Sequence, residues 1–183
     1  MCLALVGARA HAEGFVAERA FPVAGACYGR TYDRAHLGRH LGQVVAGITL
    51  SGSARSLIAD RRLRDRITPE LTLTLRVVFA DGTVAQGEVG CVEAAGRIAR
   101  CGRTASCGGD VAVEALSAGR LRLVNDDASG RAGGGISAQP GFSAEGGCPP
   151  AAQAGRFVPP DAQNRVFVLA PLPAAACAGK GVR

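Results

Sequence analysis

Aromatic residues are scarce: Phe, Trp and Tyr make up 4% of the 183 residues, and Trp is absent. So few aromatic anchors argue against a large protein interface. Lysine is nearly missing too. The bases are 20 arginines and one lysine, so the formal charge of +6 reads first as compositional skew and only then as a binding signal. Charged residues amount to 20% and mean hydropathy is +0.16, which excludes a highly charged disordered chain. No run approaches the ~18 apolar residues of a membrane-spanning helix. The length suits a single domain.

Recognisable catalytic patterns are lacking as well. Gly141-Phe142-Ser143-Ala144-Glu145 misses the final glycine of a nucleophile elbow. Gly130-Arg131-Ala132-Gly133-Gly134-Gly135 has no Lys-Ser/Thr after it and so is no phosphate loop. Asp126-Asp127 after Asn125 lacks the alternating ligand spacing of a calcium loop and reads as a turn. The main basic run, Asp60-Arg61-Arg62-Leu63-Arg64-Asp65-Arg66, has no interleaved aromatics and reads as a partly self-paired solvated face, so nucleic acid is not an expected partner. The carboxylates form no acid/base pair legible at this level. These absences point to a non-catalytic protein without a cofactor.

The chain does carry an export pattern. Apolar Cys2 to Ala8 leads into Ala10-His11-Ala12, a small-x-small cleavage site. The short apolar core and missing basic start fit a signal that begins upstream. Residues 1–12 are therefore expected to be a signal-peptide remnant, and 13–183 one mature domain. Seven cysteines are present; losing Cys2 leaves Cys27, Cys91, Cys101, Cys107, Cys148 and Cys177. An even count in an exported chain implies three disulfides, with pairing undetermined. A Cys27–Cys177 bond would clamp both ends of the mature chain. Cys101 and Cys107 could close a small loop. Counted back from a turn at Glu93–Gly96, Cys91 and Cys101 do not face each other, so a direct bond between them is not implied. Paired cysteines leave no thiolate for a Cys–His dyad.

The body reads as antiparallel β. Leu71, Leu73, Leu75 and Val77 alternate with Thr72, Thr74, Arg76 and Val78, which predicts a half-buried strand. Asp81-Gly82 predicts a two-residue type I′ hairpin into a strand over 83–89. Further strands are expected at Gln43–Leu50, Gly96–Cys101, Val111–Leu116, Arg120–Val124 and Arg165–Leu169, with Ser117-Ala118-Gly119 as a second hairpin loop. The class is all-β, an antiparallel sandwich or barrel with one or two short helices, stapled by disulfides. Tyr32–His40 fits a short helix with Thr31 or Asp33 near its start. Residues 53–67 fit either an amphipathic helix or a loop. The glycine-rich stretch Ser129–Gly147 predicts a mobile loop tethered by Cys148.

The densest polar cluster is Cys27 to His40, which holds both tyrosines and both mature histidines. Arg30, Tyr32, Asp33, His36 and His40 offer donors, an acceptor and ring faces, and form the candidate binding surface. The competing structural reading pairs Arg30 with Asp33 and packs the tyrosines. On a helix, His36 and His40 share a face with Asp33 one turn earlier, a spacing that binds a divalent metal only if a third ligand arrives from elsewhere. No metal is assigned on that basis.

Cys27-Tyr28-Gly29-Arg30-Thr31-Tyr32-Asp33-Arg34-Ala35-His36-Leu37 resembles the opening of a group of small exported, cysteine-rich bacterial proteins with no assigned activity. The ending, Arg165-Val166-Phe167-Val168-Leu169 and then Leu172-Pro173-Ala174-Ala175-Ala176-Cys177, is similar too. Cys101, Cys107 and Gly108-Gly109 resemble that group's central loop. The chain departs from the pattern at Leu41, where proline is usual, and in a longer Cys101–Cys107 spacing. The resemblance implies export and a disulfide-bonded β domain, and no reaction. The expected function is an exported binding or structural domain of the bacterial envelope, periplasmic or secreted, whose partner is a small molecule or an envelope protein. The alternatives are a metal-dependent hydrolase or metal-binding protein using His36 and His40, and a secreted enzyme-inhibitor module.

Overall fold

The alternation at Leu71–Phe79 sets the architecture. Leu71, Leu73, Leu75, Val77 and Phe79 are all buried, and the residues between them lie nearer solvent. Propagated across neighbours, that one-sided burial curls the sheet round its apolar face. A computed structural model of the protein describes residues 16–55, 71–94, 97–102, 111–125, 136–138, 156–158 and 161–178. Eight antiparallel strands close into a barrel: β1 (Ala26–Thr31), β2 (Val45–Gly52), β3 (Leu71–Phe79), β4 (Val84–Ala94), β5 (Arg97–Gly102), β6 (Val111–Ala115), β7 (Leu121–Asn125) and β10 (Val166–Leu172). Each pairs with the next in sequence, and β10 returns to β1, so no edge is left unpaired in this sheet. Leu50, Leu73, Val113, Leu123, Phe167 and Leu169 fill the interior from five different strands, and each is fully buried.

Between β7 and β10 lies a separate two-stranded ribbon of β8 (Ile136–Ala138) and β9 (Arg156–Val158). β8 falls inside the stretch expected to be a loop. The rest of that stretch, residues 1–12, most of 53–67, and Cys107 and Cys148 lie outside the described residues.

The β3–β4 turn differs from the expected two-residue type. The Gly82 N–H donates to the Phe79 carbonyl at 2.9 Å, the Phe79 N–H to Thr83 at 2.8 Å, and Gly82 alone takes a positive φ, +86°. This is a three-residue loop, a type I turn followed by a left-handed glycine, which needs positive φ at one residue rather than two. The Asp81 carboxylate accepts from the Thr83 N–H at 3.0 Å and fixes it. At the second hairpin, Ala118 takes φ +58°, a region alanine visits only at a cost.

Two disulfides are described. Cys27–Cys177 joins residues 150 apart and Cys91–Cys101 residues 10 apart. The second corrects the expectation that those cysteines do not face one another. Ala94 pairs with Arg97, Glu93 with Ile98 and Val92 with Ala99; a bulge then skips Arg100, and Cys91 meets Cys101. One extra residue in β5 turns a mismatched register into a matched one. Both sulfurs lie in the core, with Cα atoms 4.0 Å apart.

Cys27–Cys177 staples the closing seam. There Cys27 pairs with Leu172, Tyr28 with Pro171 and Gly29 with Ala170, and Pro171 has no N–H to give. The short helix α3 (Ala174–Cys177) follows β10 directly and packs against β1 and β2. Under a chain-entropy account, the long crosslink contributes about 5 kcal/mol and the short one about 3.

The two mouths of the barrel are closed differently. Where β1 begins, helix α1 (Val16–Ala20) and Phe21 seal the end, with Val16, Ala17, Ala20 and Phe21 all buried. Glu93 accepts from the Val16 and Ala17 N–H groups, both at 3.0 Å, at the helix start. The Tyr28 hydroxyl donates to the Ala20 carbonyl at 2.7 Å, and its ring meets Phe21 edge-on at 5.5 Å. Where β1 ends, the seal is polar. Asn125 donates to the carbonyls of Val158 (3.0 Å) and Asn164 (3.1 Å). Asn164 accepts from the Val44 N–H at 3.0 Å and donates to the Gly42 carbonyl and Asp161. Both asparagines are fully buried.

Candidate functional site

Alternation along β1 positions the site. Tyr28 faces the interior opposite Leu50, and Arg30 occupies the same face opposite Ile48. Two residues further on, Tyr32 continues that row past the rim; Arg30 is exposed and Tyr32 half-buried against the core. The inward row of a core strand thus rises out of the asparagine mouth as a polar and aromatic one.

The chain then turns into helix α2 (Arg34–Arg39), as expected for this segment. Asp33 is its N-cap: the carboxylate accepts from the His36 N–H at 2.7 Å. The His40 N–H donates back to the His36 and Leu37 carbonyls and closes the helix. One turn of helix brings His36 and His40 into line. Their rings stack at 4.3 Å with planes 25° apart, and His36 stacks on Tyr32 at 4.7 Å and 30°. The Arg30 guanidinium lies over the Tyr32 ring, 5.3 Å from its centroid. Four of the five residues singled out in the sequence therefore form one continuous stack, and the fifth caps the helix that carries half of it. Arg30 does not pair with Asp33; its partner is the Tyr32 ring.

Gln43 holds the stack, a residue that sequence reasoning passed over. It is buried, donates from Nε2 to the Val45 carbonyl at 3.0 Å, and meets His36 Nε2 through Oε1 at 2.9 Å. A carbonyl can only accept, so the amide orientation is set, and Oε1 is left as an acceptor. His36 therefore points an N–H on Nε2 at Gln43. Burial raises the Tyr32 phenol above its ordinary value of 10.0, opposed by the charge of Arg30 and by hydrogen bonding with Gln43 and Arg30.

Near-parallel imidazoles aim their in-plane lone pairs side by side, so the stacked pair does not converge on one ion. Among the described residues, no three His, Cys, Asp or Glu side chains gather as a metal-ligand set. A shared metal would require the two rings to unstack.

Charge is uneven at this rim. Arg30, Arg34 and Arg39 are exposed, and none has a carboxylate partner among the described residues. On the barrel wall, by contrast, Arg97 and Arg122 both pair with Glu114. The described carboxylates at this mouth, Asp33, Asp81 and Asp161, accept from the backbone N–H groups of His36, of Thr83, and of Gln163 and Asn164 respectively. Leu41, directly after His40, is 89% exposed. No protein-family model matches the sequence, and no curated protein or solved structure proved similar to it.

Proposed function

We propose that this is an exported, non-catalytic binding domain of the bacterial envelope, and that the Arg30–Tyr32–His36–His40 ladder is its contact surface. The observation that carries the reading is the ladder itself. Four polar and aromatic side chains are stacked, held from beneath by buried Gln43, and presented at the rim of an otherwise filled barrel. Small domains hold such arrays for packing or for recognition. This one stands at a mouth already sealed by the asparagines, so packing alone does not call for it. Two disulfides are compatible with an oxidising compartment and support export. The likeness of Cys27–Leu37 and the closing segment to small exported cysteine-rich bacterial proteins supports the same placement. With so few aromatics, a small or weakly held partner fits better than a broad protein interface.

The test is to follow the Tyr32, His36 and His40 ring resonances by NMR while fractionated envelope material is added. Perturbations that disappear in Arg30→Ala and His36→Ala are expected. Responses identical in both variants would remove this surface from consideration. Measuring zinc, copper and nickel in protein isolated from its native compartment addresses the metal-binding alternative; a stoichiometric ion would replace the binding-domain reading.

A further inference from the structure

Among the described residues, this rim combines a stack of flat rings with arginines that have no acidic partner. Arg30 closes one end of the ladder, and His40 leaves an exposed ring at the other, next to the protruding Leu41. Arg34 and Arg39 stand on the helix that carries the histidines. The described carboxylates of this mouth, Asp33, Asp81 and Asp161, accept from backbone N–H groups, and none forms an ion pair with these arginines among the described residues. Arginine forks suit carboxylates, and exposed ring faces offer flat apolar area. A ligand that satisfies both must repeat an apolar ring face with a carboxylate.

From this we infer that the surface takes an acidic polysaccharide of the uronic-acid class, its sugar rings laid against His40 and Leu41 and its carboxylates on Arg30 and Arg39. The assignment rests on the binding reading above and gives it a ligand chemistry. A bare polyanion satisfies the arginines and leaves the rings idle; a neutral glycan does the reverse. Charge attraction also draws a basic protein to any polyanion, so the discriminating variants are matched in charge.

The experiment titrates the full chain with an oligogalacturonate, a neutral malto-oligosaccharide and inorganic polyphosphate, read by calorimetry and by the His36 and His40 ring resonances. Oligogalacturonate is expected to bind and to shift both rings. Arg30→Ala/Arg39→Ala should weaken it about tenfold or more. Arg55→Ala/Arg120→Ala removes the same charge at the opposite mouth and should change it less than about twofold. Equal losses in the two double variants would mean general attraction and overturn the assignment. So would polyphosphate binding as tightly with the same ring shifts. If envelope material moves the rings while oligogalacturonate does not, the binding surface stands and the uronic-acid assignment falls. If neither moves them, both fall. Far-UV circular dichroism and thermal melts of each variant separate loss of binding from loss of fold.

Discussion

The two mouths of the barrel are closed by opposite chemistries. At one, α1 and Phe21 form an apolar plug, with Glu93 at the helix start and the seam disulfide beside it. At the other, two buried asparagines and Gln43 tie loop backbone to the rim through hydrogen bonds. An apolar plug is non-directional and sets no side chain at a chosen angle. A polar seal is directional, and whatever it holds is held in orientation. That difference accounts for the ladder's position at the asparagine end. The plugged end gives stability; the polar end gives orientation.

The comparison can be broken from either side. Phe21→Ala empties the plug and should cost about 3–5 kcal/mol, read by chemical denaturation. The stacked rings should keep their chemical shifts as long as the barrel remains folded. Asn164→Ala leaves the Val44 N–H and the Gly42 carbonyl without their partner and should cost about 2–3 kcal/mol. Here the His36 and Tyr32 resonances should move, because Gln43 lies between the two residues that Asn164 ties down. Equal spectral effects from both variants would show that the mouths are not independent.

Alkaline pH sharpens the contrast at the plugged end. Burial raises the Tyr28 phenol above its ordinary value of 10.0, so the fold favours the neutral form that donates to Ala20. Below that value both states are protonated and the contribution is complete. As pH rises past it, the unfolded chain ionises first, and stability falls until the folded value is passed. Tyr28→Phe should cost about 1 kcal/mol at neutral pH and flatten part of this alkaline decline, the remainder belonging to Tyr32. The smallest effect is a gain: Ala118→Gly relieves the positive φ in the β6–β7 loop and should raise stability by about 0.5 kcal/mol.

What the sequence makes legible is local. The strand at Leu71–Phe79, the Asp33 cap and the i, i+4 alignment of His36 and His40 each depend on residues a few positions apart. The Cys27–Cys177 bond was open to reasoning because both residues sit near the ends of the expected mature chain. The polar seal was not, since Asn164 meets Val44 across 120 residues and Asn125 meets Val158 across 33. Neither asparagine differs in its neighbourhood from a turn residue. Gln43 was passed over for the same reason: as the first residue of an expected strand, it gave no sign of being buried beneath a histidine. The bulge at Arg100 leaves no periodic trace either, and so the facing of Cys91 and Cys101 was missed. β10 runs on through Ala170-Pro171-Leu172 beside β1 alone, because pairing with β7 stops at Leu169 and Pro171 has a strand neighbour on one side only.

The seam also dictates an order of assembly. β2 to β7 can zip hairpin by hairpin as the polypeptide grows, and Cys91 and Cys101 can meet as soon as β5 pairs with β4. β1 has to wait with one edge bare until β10, the last of the eight barrel strands in sequence, arrives beside it. Until then the sheet is an open template for a neighbouring copy. A chain cut short before Val166 would never leave that state, and should accumulate as aggregate.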